Sequence, residues 1–261
     1  MMWAPLTRER RAHYPTLSGR HVVITGGASG IGAAMIEAFL AQGSQVSILD
    51  IDDEAARALQ ATLGKSASLS YRHCDLTDIA VLRETLKDLE QGLPIDALIN
   101  NAANDRRQAF DDIEPEDWDH SQATNLRHHF FAAQAVARGM RERGCGVILN
   151  LGSVSWMRGN PSMSGYTTAK AGIHGLTRTL ARELGPHGIR VNSLVPGAVI
   201  TEKQTRLWRT PEQDAEFLSQ QSLKFRLEPD DISAMALFLA ADDSRGMTAQ
   251  SIVVDAGLAH C

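Results

Sequence analysis

Tyr166 and Lys170 are the residues whose types and spacing most directly suggest chemistry. They stand four apart in a stretch, 165–184, whose pattern predicts a helix, so their side chains share one face. A free phenol ionises near pH ~10 and is a poor base at neutrality. A fixed ammonium beside it favours the phenolate and lowers that pKa. The pair thus predicts a general acid–base: Tyr166 takes a proton from a hydroxyl or returns one, and Lys170 supplies the charge. The same spacing arises by chance in many helices, so it gains meaning only beside a second site.

That second site begins at residues 25–32, TGGASGIG, between a predicted strand and a predicted helix. Gly26, Gly30 and Gly32 allow a tight turn and close approach of backbone to a ligand. The helix start offers free N–H groups and the positive end of its dipole to a pyrophosphate. The spacing is G-x-x-x-G-x-G rather than the G-x-G-x-x-G of many dinucleotide folds. Asp50 ends the next predicted strand, where a carboxylate can accept hydrogen bonds from both adenosine ribose hydroxyls. It would repel a 2′-phosphate, and DIDDE contains no arginine to offset that, so NAD is expected over NADP. The other reading of Asp50 is a plain cap of the following helix, a role Asp52 or Asp53 fills equally well.

Positioning such groups needs a scaffold, and the chain alternates short apolar runs with longer helical patterns. Strands are expected at 21–25, 45–50, 69–74, 96–100, 146–152, 189–195 and 251–255. Helices are expected at 30–42, 53–63, 78–91, near 115–142, 165–184 and near 230–241. This rhythm predicts one Rossmann-type α/β domain over 17–261: a doubly wound, parallel, seven-stranded sheet with helices on both faces. Residues 1–16 read as a mobile lead-in. Residues 197–228 interrupt the rhythm after a strand's carboxyl end and are expected to form a mobile substrate lid.

Composition narrows the function classes. Hydrophobic residues make up 43% of the 261, enough for a substantial core. The net charge is -5 with no basic run, which argues against a nucleic-acid partner. The three cysteines, Cys74, Cys145 and Cys261, are widely spaced and fit a reducing compartment. His128 and His129 are adjacent, expected on different helix faces, and no metal site is expected. No stretch is long and apolar enough to span a bilayer, and the first residues lack the apolar core of a secretory signal. A cytoplasmic enzyme is the expectation.

Taken in order, TGGASGIG, CDLT (74–77), NNAA (100–103), TNLR around Asn125, Ser153 in LGSVS, Tyr166-x-x-x-Lys170 and PGAVIT (196–201) resemble the short-chain dehydrogenase/reductase family from about residue 17 to 257. The resemblance implies a catalytic group of Asn125, Ser153, Tyr166 and Lys170. Ser153 would hydrogen-bond the reacting oxygen, and Asn125 would hold a water linking Lys170 to solvent. It implies coenzyme contacts from Gly26, Ser29, Gly30, Ile31 and Gly32 at the phosphates, and from Asp50, Ile51, Asp75 and Leu76 at the adenosine. Asn101, Ala102 and Ala103 would pack along the ribose, with Ala103 standing where the family more often has glycine. Pro196, Gly197, Val199 and Thr201 would hold the nicotinamide end, with Tyr166 and Lys170 also in contact.

The substrate pocket is expected after the fourth and fifth strands and in 197–228. Its candidates are Asn104, Asp105, Arg106, Ser153, Ser155, Trp156, Arg158, Asn160, Tyr166, Gln204 and Trp208, a polar set with two indoles that suits a polyhydroxylated ligand. Packing is the other role open to Trp156 and Trp208. Local strings such as NNAANDRR and LGSVSWMRG resemble the sugar-dehydrogenase branch, in particular its bacterial D-xylose 1-dehydrogenases. That resemblance implies NAD-dependent oxidation of an aldose at C1 to its lactone. Arg106 or Arg158 could instead bind a carboxylate, which points to a sugar acid such as a deoxy-ketoaldonate oxidised at a secondary hydroxyl. A reductase of acyl intermediates would want NADP and a basic docking surface. A non-catalytic NAD sensor would not need the four catalytic residues together. By resemblance, helices rich in small residues pair between subunits into a homotetramer.

Overall fold

The computed structural model describes residues 12–64, 67–202, 205 and 210–259. Seven parallel strands form one sheet: β1 His21–Thr25, β2 Gln45–Asp50, β3 Leu69–His73, β4 Ala97–Asn100, β5 Gly146–Leu151, β6 Ile189–Pro196 and β7 Ser251–Val254. Their order is β3-β2-β1-β4-β5-β6-β7. β1, β4 and β5 are buried along their whole length, which is why they read as unbroken apolar runs.

The helices are α1 Gly30–Ala41, α2 Asp53–Leu63, α3 Ile79–Gly92, α4 Pro115–Gln122, α5 His128–Arg143, α6 Ser155–Arg158, α7 Ser164–Leu184, α8 Pro211–Gln220 and α9 Pro229–Ala240. On one face of the sheet, Met35 and Phe39 of α1 and Ile232, Ala236 and Leu237 of α9 pack with Ile24, Ile48 and Leu149. Leu59 and Leu63 of α2 lean on the same cluster. On the other face, Leu82 and Leu86 of α3, Ala133 and Val136 of α5, and Leu180 and Leu184 of α7 pack against Val23, Leu98 and Ile148. The fold is the expected Rossmann-type sheet with helices on both faces. The chain winds outward from β1 to β3, then crosses back to β4, so a crevice opens where β1 and β4 end.

Three local features differ from the sequence reading. The long helix expected near 115–142 is two helices joined by a π-helical turn, Ala123–Arg127. Within 197–228 lies a formed helix, α8, started by a capping box in which Thr210 Oγ1 accepts from the Gln213 N–H. The base of this excursion is fastened where the Ile200 N–H donates to the Leu227 carbonyl at 2.8 Å. Before β1, the Tyr14 N–H donates to the Gln42 side chain at 2.8 Å, and Leu17 is buried. The Gln42 side-chain amide also donates to the Ala12 carbonyl at 3.0 Å, so the chain is tied to the domain from Ala12 onward; residues 1–11 of the expected lead-in lie outside the described residues.

No helix among the described residues is long and apolar enough to cross a membrane. Among them no group of three or more His, Cys, Asp or Glu side chains is arranged to hold a metal.

Candidate active site

The crevice holds a cleft of about 860 Å³. Its floor at one end is the turn between β1 and α1. Gly26 sits at φ 63°, and a Cβ there would stand 2.6 Å from the Ala102 backbone. A Cβ on Gly32 would stand 2.2 Å from the Gly26 carbonyl oxygen. These glycines thus let the start of α1, the turn and the end of β4 pass within touching distance. Asn101 locks the junction: its side-chain amide donates to the Gly26 carbonyl at 2.7 Å and the Thr25 carbonyl at 3.1 Å. The Thr25 hydroxyl accepts from the Asn101 and Ala102 N–H groups. Asn101, expected along a ribose, lines the cleft, and its side chain also braces the turn.

Asp50 faces this cleft from the end of β2. One carboxylate oxygen accepts from the Ala28 N–H at 2.9 Å, the other from the Asp52 N–H at 3.1 Å. The cap of α2 is Asp52, whose carboxylate accepts from the Ala55 N–H at 2.9 Å. The capping alternative for Asp50 is thereby excluded. Ile51, 60% exposed, lies beside it on the cleft. Asp75, held below the usual carboxylate range by hydrogen bonds from the Thr77 hydroxyl and N–H, lines the same wall with Leu76.

The residues fit a dinucleotide on this chemistry: a turn closed to side chains, N–H groups at a helix start, and a carboxylate at the second strand's end. Ser29, Ile31, Ala102, Ala103, Pro196, Gly197, Val199 and Thr201 all line the cleft. Gly30 does not line it; it takes a positive φ of 54° in the turn, and a Cβ there would stand 3.4 Å from the Thr201 side chain.

At the other end lie Ser153, Tyr166 and Lys170. Lys170 is 1% exposed, and its Nζ sits 5.6 Å from the centre of the Tyr166 ring. It donates to the Leu151 carbonyl at the end of β5 at 2.7 Å. Burial pulls Lys170 down to about 7, against the pull of the Asp105 carboxylate. Burial pushes the Tyr166 phenol up to about 12; a Ser153 hydrogen bond opposes this and Asp105 adds to it. The lowering expected of the phenol rests on Lys170 together with a positively charged nicotinamide; Lys170 by itself does not produce it. In the protein's own field desolvation outweighs the neighbouring amine, because both groups are deeply buried.

Asn125 lies on the π-helical turn. Its side-chain amide donates to the Asn104 carbonyl at 3.1 Å and the Ser121 carbonyl at 3.0 Å, while its oxygen accepts from the Asn104 N–H at 2.8 Å. Its side chain therefore clamps the loop after β4. Such turns open a helix where a function needs it.

His128 and His129, expected on different faces, have ring centres 4.4 Å apart and are both fully buried. The π-turn directly before α5 precedes their placement. Burial lowers His128 to about 3, with the Lys170 charge acting in the same direction.

The substrate candidates divide. Asn104, Asp105, Ser153, Ser155, Arg158, Asn160 and Tyr166 line the cleft. Two others do not. Trp156 turns away: its indole N–H donates to His174 Nε2 at 3.0 Å, and the rings meet edge to face at 4.8 Å. The packing alternative holds for it. Arg106 pairs with Asp117 at 2.9 Å and borders a separate cavity of about 120 Å³. Gln204 and Trp208 lie outside the described residues. Met163, Phe217, Leu258 and Arg107 also line the cleft, though the sequence reading did not name them. Phe217 carried a signal, since it falls within 197–228, and so did Arg107, which closes the NNAANDRR string after the fourth strand.

Comparison with known proteins agrees with this geometry. The family profile described as enoyl-(acyl carrier protein) reductase matches residues 26–259. D-xylose 1-dehydrogenase of Caulobacter vibrioides is 46% identical over 247 residues, 94% of this chain and 98% of that one. Probable galactose dehydrogenase of Rhizobium meliloti is 42% identical over 250 residues, covering 95% and 98%. Among solved structures, a 3-oxoacyl-[acyl-carrier protein] reductase from Brucella melitensis with bound NAD superposes with a TM-score of 0.87 at 29% identity, covering 100% of this chain and 99% of that one. Agreement along nearly the whole of both chains, in sequence and in topology, makes this protein a member of the short-chain dehydrogenase/reductase family.

Proposed function

We propose that the protein is an NAD-dependent dehydrogenase that oxidises an aldose at C1 to its lactone. One observation carries this reading: the Ser153–Tyr166–Lys170 group and the Asp50 carboxylate lie at opposite ends of one continuous cleft. The turn at Gly26, Ser29, Ile31 and Gly32 would hold the pyrophosphate. Asp50, Ile51, Asp75 and Leu76 would hold the adenosine. Residues at Pro196, Gly197, Val199 and Thr201 would hold the nicotinamide end. The Asp50 carboxylate, with no basic partner among its hydrogen bonds, favours NAD over the 2′-phosphorylated form.

The bound coenzyme supplies the hydride acceptor and, when oxidised, a positive charge that favours the phenolate. Ser153 hydrogen-bonds the substrate oxygen and holds it against Tyr166. The Tyr166 oxygen receives the hydroxyl proton as the C–H bond is broken. Lys170, fixed on the Leu151 carbonyl, stabilises the phenolate by its charge. Asn125 keeps Asn104, and with it the sugar side of the cleft, in place.

The two arginines that the sequence offered for a substrate carboxylate are engaged by the protein. Arg106 pairs with Asp117. Arg158 donates to the Gln220 side chain and stacks on Phe217 at 5.4 Å, both on α8. A neutral sugar is therefore favoured over a sugar acid. The most similar relatives named above, a D-xylose and a probable galactose dehydrogenase, support an aldose.

The test is reduction of NAD and of NADP, followed by nicotinamide absorbance, across aldopentoses, aldohexoses and aldonates. Turnover of a neutral aldose with NAD is expected. Turnover confined to aldonates or to acyl thioesters would overturn the reading.

The assembly is read as a homotetramer. Trp118 on α4 and Phe130 on α5 are 38% and 39% exposed, and they give neighbouring helices apolar side chains on the outside of the domain.

A further inference from the structure

We propose that His174 is a positioning residue for the reaction: by accepting the Trp156 indole N–H it fixes α6, and with it the turn that carries Ser153, against the helix that carries Tyr166 and Lys170. The inference deepens the aldose-dehydrogenase reading above and rests on it.

Three observations carry it. First, α6 is a four-residue helix directly after the Ser153 turn, too short to hold itself by its own hydrogen bonds. Its place is set by contacts with its neighbours. Second, it touches the reaction centre. The Ser155 N–H donates to Ser153 Oγ at 3.2 Å, and the Ser153 hydroxyl donates to Ser155 Oγ at 2.9 Å. Ser155 and Arg158 line the cleft, while Trp156 between them turns back to α7. Third, Trp156 meets a chain of hydrogen bonds and not bare packing. His174 Nε2 accepts the indole N–H at 3.0 Å, and His174 Nδ1 lies 2.7 Å from Ser251 Oγ on β7. His174 stands four residues beyond Lys170 on α7. One helix therefore carries the base, the cation and the anchor of the serine's turn.

The donor set fixes the protonation state. An indole nitrogen is a donor only, so Nε2 is bare and the proton sits on Nδ1, where it donates to Ser251. A second proton on the ring sets a donor against a donor and breaks the bond to Trp156. Around the imidazole, α7 brings Arg178, and β7 brings the neutral Ser251 hydroxyl. α6 carries Arg158, whose guanidinium is held by Gln220 and Phe217. Burial, helped by the Arg178 charge, holds His174 below its ordinary value of 6.5. The anchor is thus intact at neutral pH and lost in acid.

The test compares wild type with His174→Leu, His174→Gln and Trp156→Phe, using NAD and a neutral aldose. Leucine removes the acceptor. Glutamine keeps an acceptor that does not titrate. Phenylalanine keeps the ring edge and removes the donor. In His174→Leu and Trp156→Phe, kcat/KM should fall about tenfold, the size of a ~1.4 kcal/mol buried hydrogen bond. NAD affinity stays within about twofold of wild type in a fluorescence titration, because the anchor bears on the substrate end of the cleft. The double variant falls no further than either single one, and His174→Gln recovers most of the loss. In wild type the aldose KM rises in acid, in step with a shift of the Trp156 indole N–H resonance; in His174→Gln both stay level. Wild-type kcat/KM in both His174→Leu and Trp156→Phe overturns the role of His174. So does an additive double variant, or an acid rise of KM that persists in His174→Gln. If His174→Leu does not fold, Trp156→Phe and His174→Gln decide by the same measurements. If wild type oxidises no neutral aldose, the function reading itself falls and takes this inference with it.

Discussion

At the scale of single residues, Tyr166 and Lys170 show how one environment acts on two groups. The same burial that pushes the phenol up to about 12 pulls the amine down to about 7. Each shift disfavours charge, and the chemistry needs charge on both. Tyr166→Phe removes the proton acceptor and nothing that holds the coenzyme's far end. Turnover should fall by about 10²-fold or more, with NAD affinity within a few-fold of wild type by fluorescence titration. Near-normal turnover in that variant would remove Tyr166 from the mechanism. Lys170 adds a stability consequence. Its pKa is lower in the folded protein than the ordinary value of 10.5, so the unfolded chain binds the extra proton between about 7 and 10.5. Stability from this group therefore rises with pH across that window and is lowest near and below neutrality. Lys170→Met removes a buried ammonium but leaves the Leu151 carbonyl without its donor. The desolvation of the charge outweighs one hydrogen bond. The variant should melt about 2–4 °C above wild type at pH 7, with the gap closing towards pH 10, while losing activity. Calorimetry at the two pH values checks this, and a lower melting point at pH 7 would show that the hydrogen bond wins.

At the scale of elements, the turn into α1 sets two tendencies against each other. Alanine suits a helix better than glycine by about 1 kcal/mol. A Cβ at Gly32 would stand 2.2 Å from the Gly26 carbonyl oxygen and 2.8 Å from the Asn101 amide nitrogen. The first obstacle is backbone and cannot swing aside. Forcing it costs about 1–3 kcal/mol and moves the N–H groups at the start of α1. Gly32→Ala should therefore lower the melting temperature and weaken NAD binding at least tenfold, whatever its helix propensity promises. Equal NAD affinity in the variant would show that the turn does not hold the coenzyme. The π-helical turn works similarly by displacement. It sets Asn125 against Asn104, a pairing that holds the loop carrying Asp105. α8 bears on the cleft through Phe217 and is gripped by Arg158.

For the whole molecule, both sheet faces are covered by helices, yet α4 and α5 leave Trp118 and Phe130 partly in solvent. In the proposed tetramer these aromatic side chains would be covered by a partner subunit. Phe130→Glu should shift the protein to smaller species in sedimentation at micromolar concentration, while the isolated fold stays intact by circular dichroism. A tetramer unchanged by the charge, or a monomeric wild type, would overturn the assembly reading.

The sheet was legible in the amino-acid order because its causes are local. β1, β2 and β4 to β7 are short apolar runs bounded by turns, and the expected limits lie within a residue of those observed. The glycine turn, the Tyr166–Lys170 face and the placement of Asp50 were legible for the same reason: each depends on neighbours a few positions away. What the cleft contains was decided by packing between distant segments. Trp156 looked like a sugar-stacking indole, yet His174 from the next helix draws it away from the cleft. Arg106 looked like a carboxylate binder until Asp117 claimed it. Phe217 and Leu258, far apart in the chain, meet over one cavity. Periodicity reports which face of an element is apolar. Only the folded chain sets which polar group finds its partner in the protein and which is left facing a ligand.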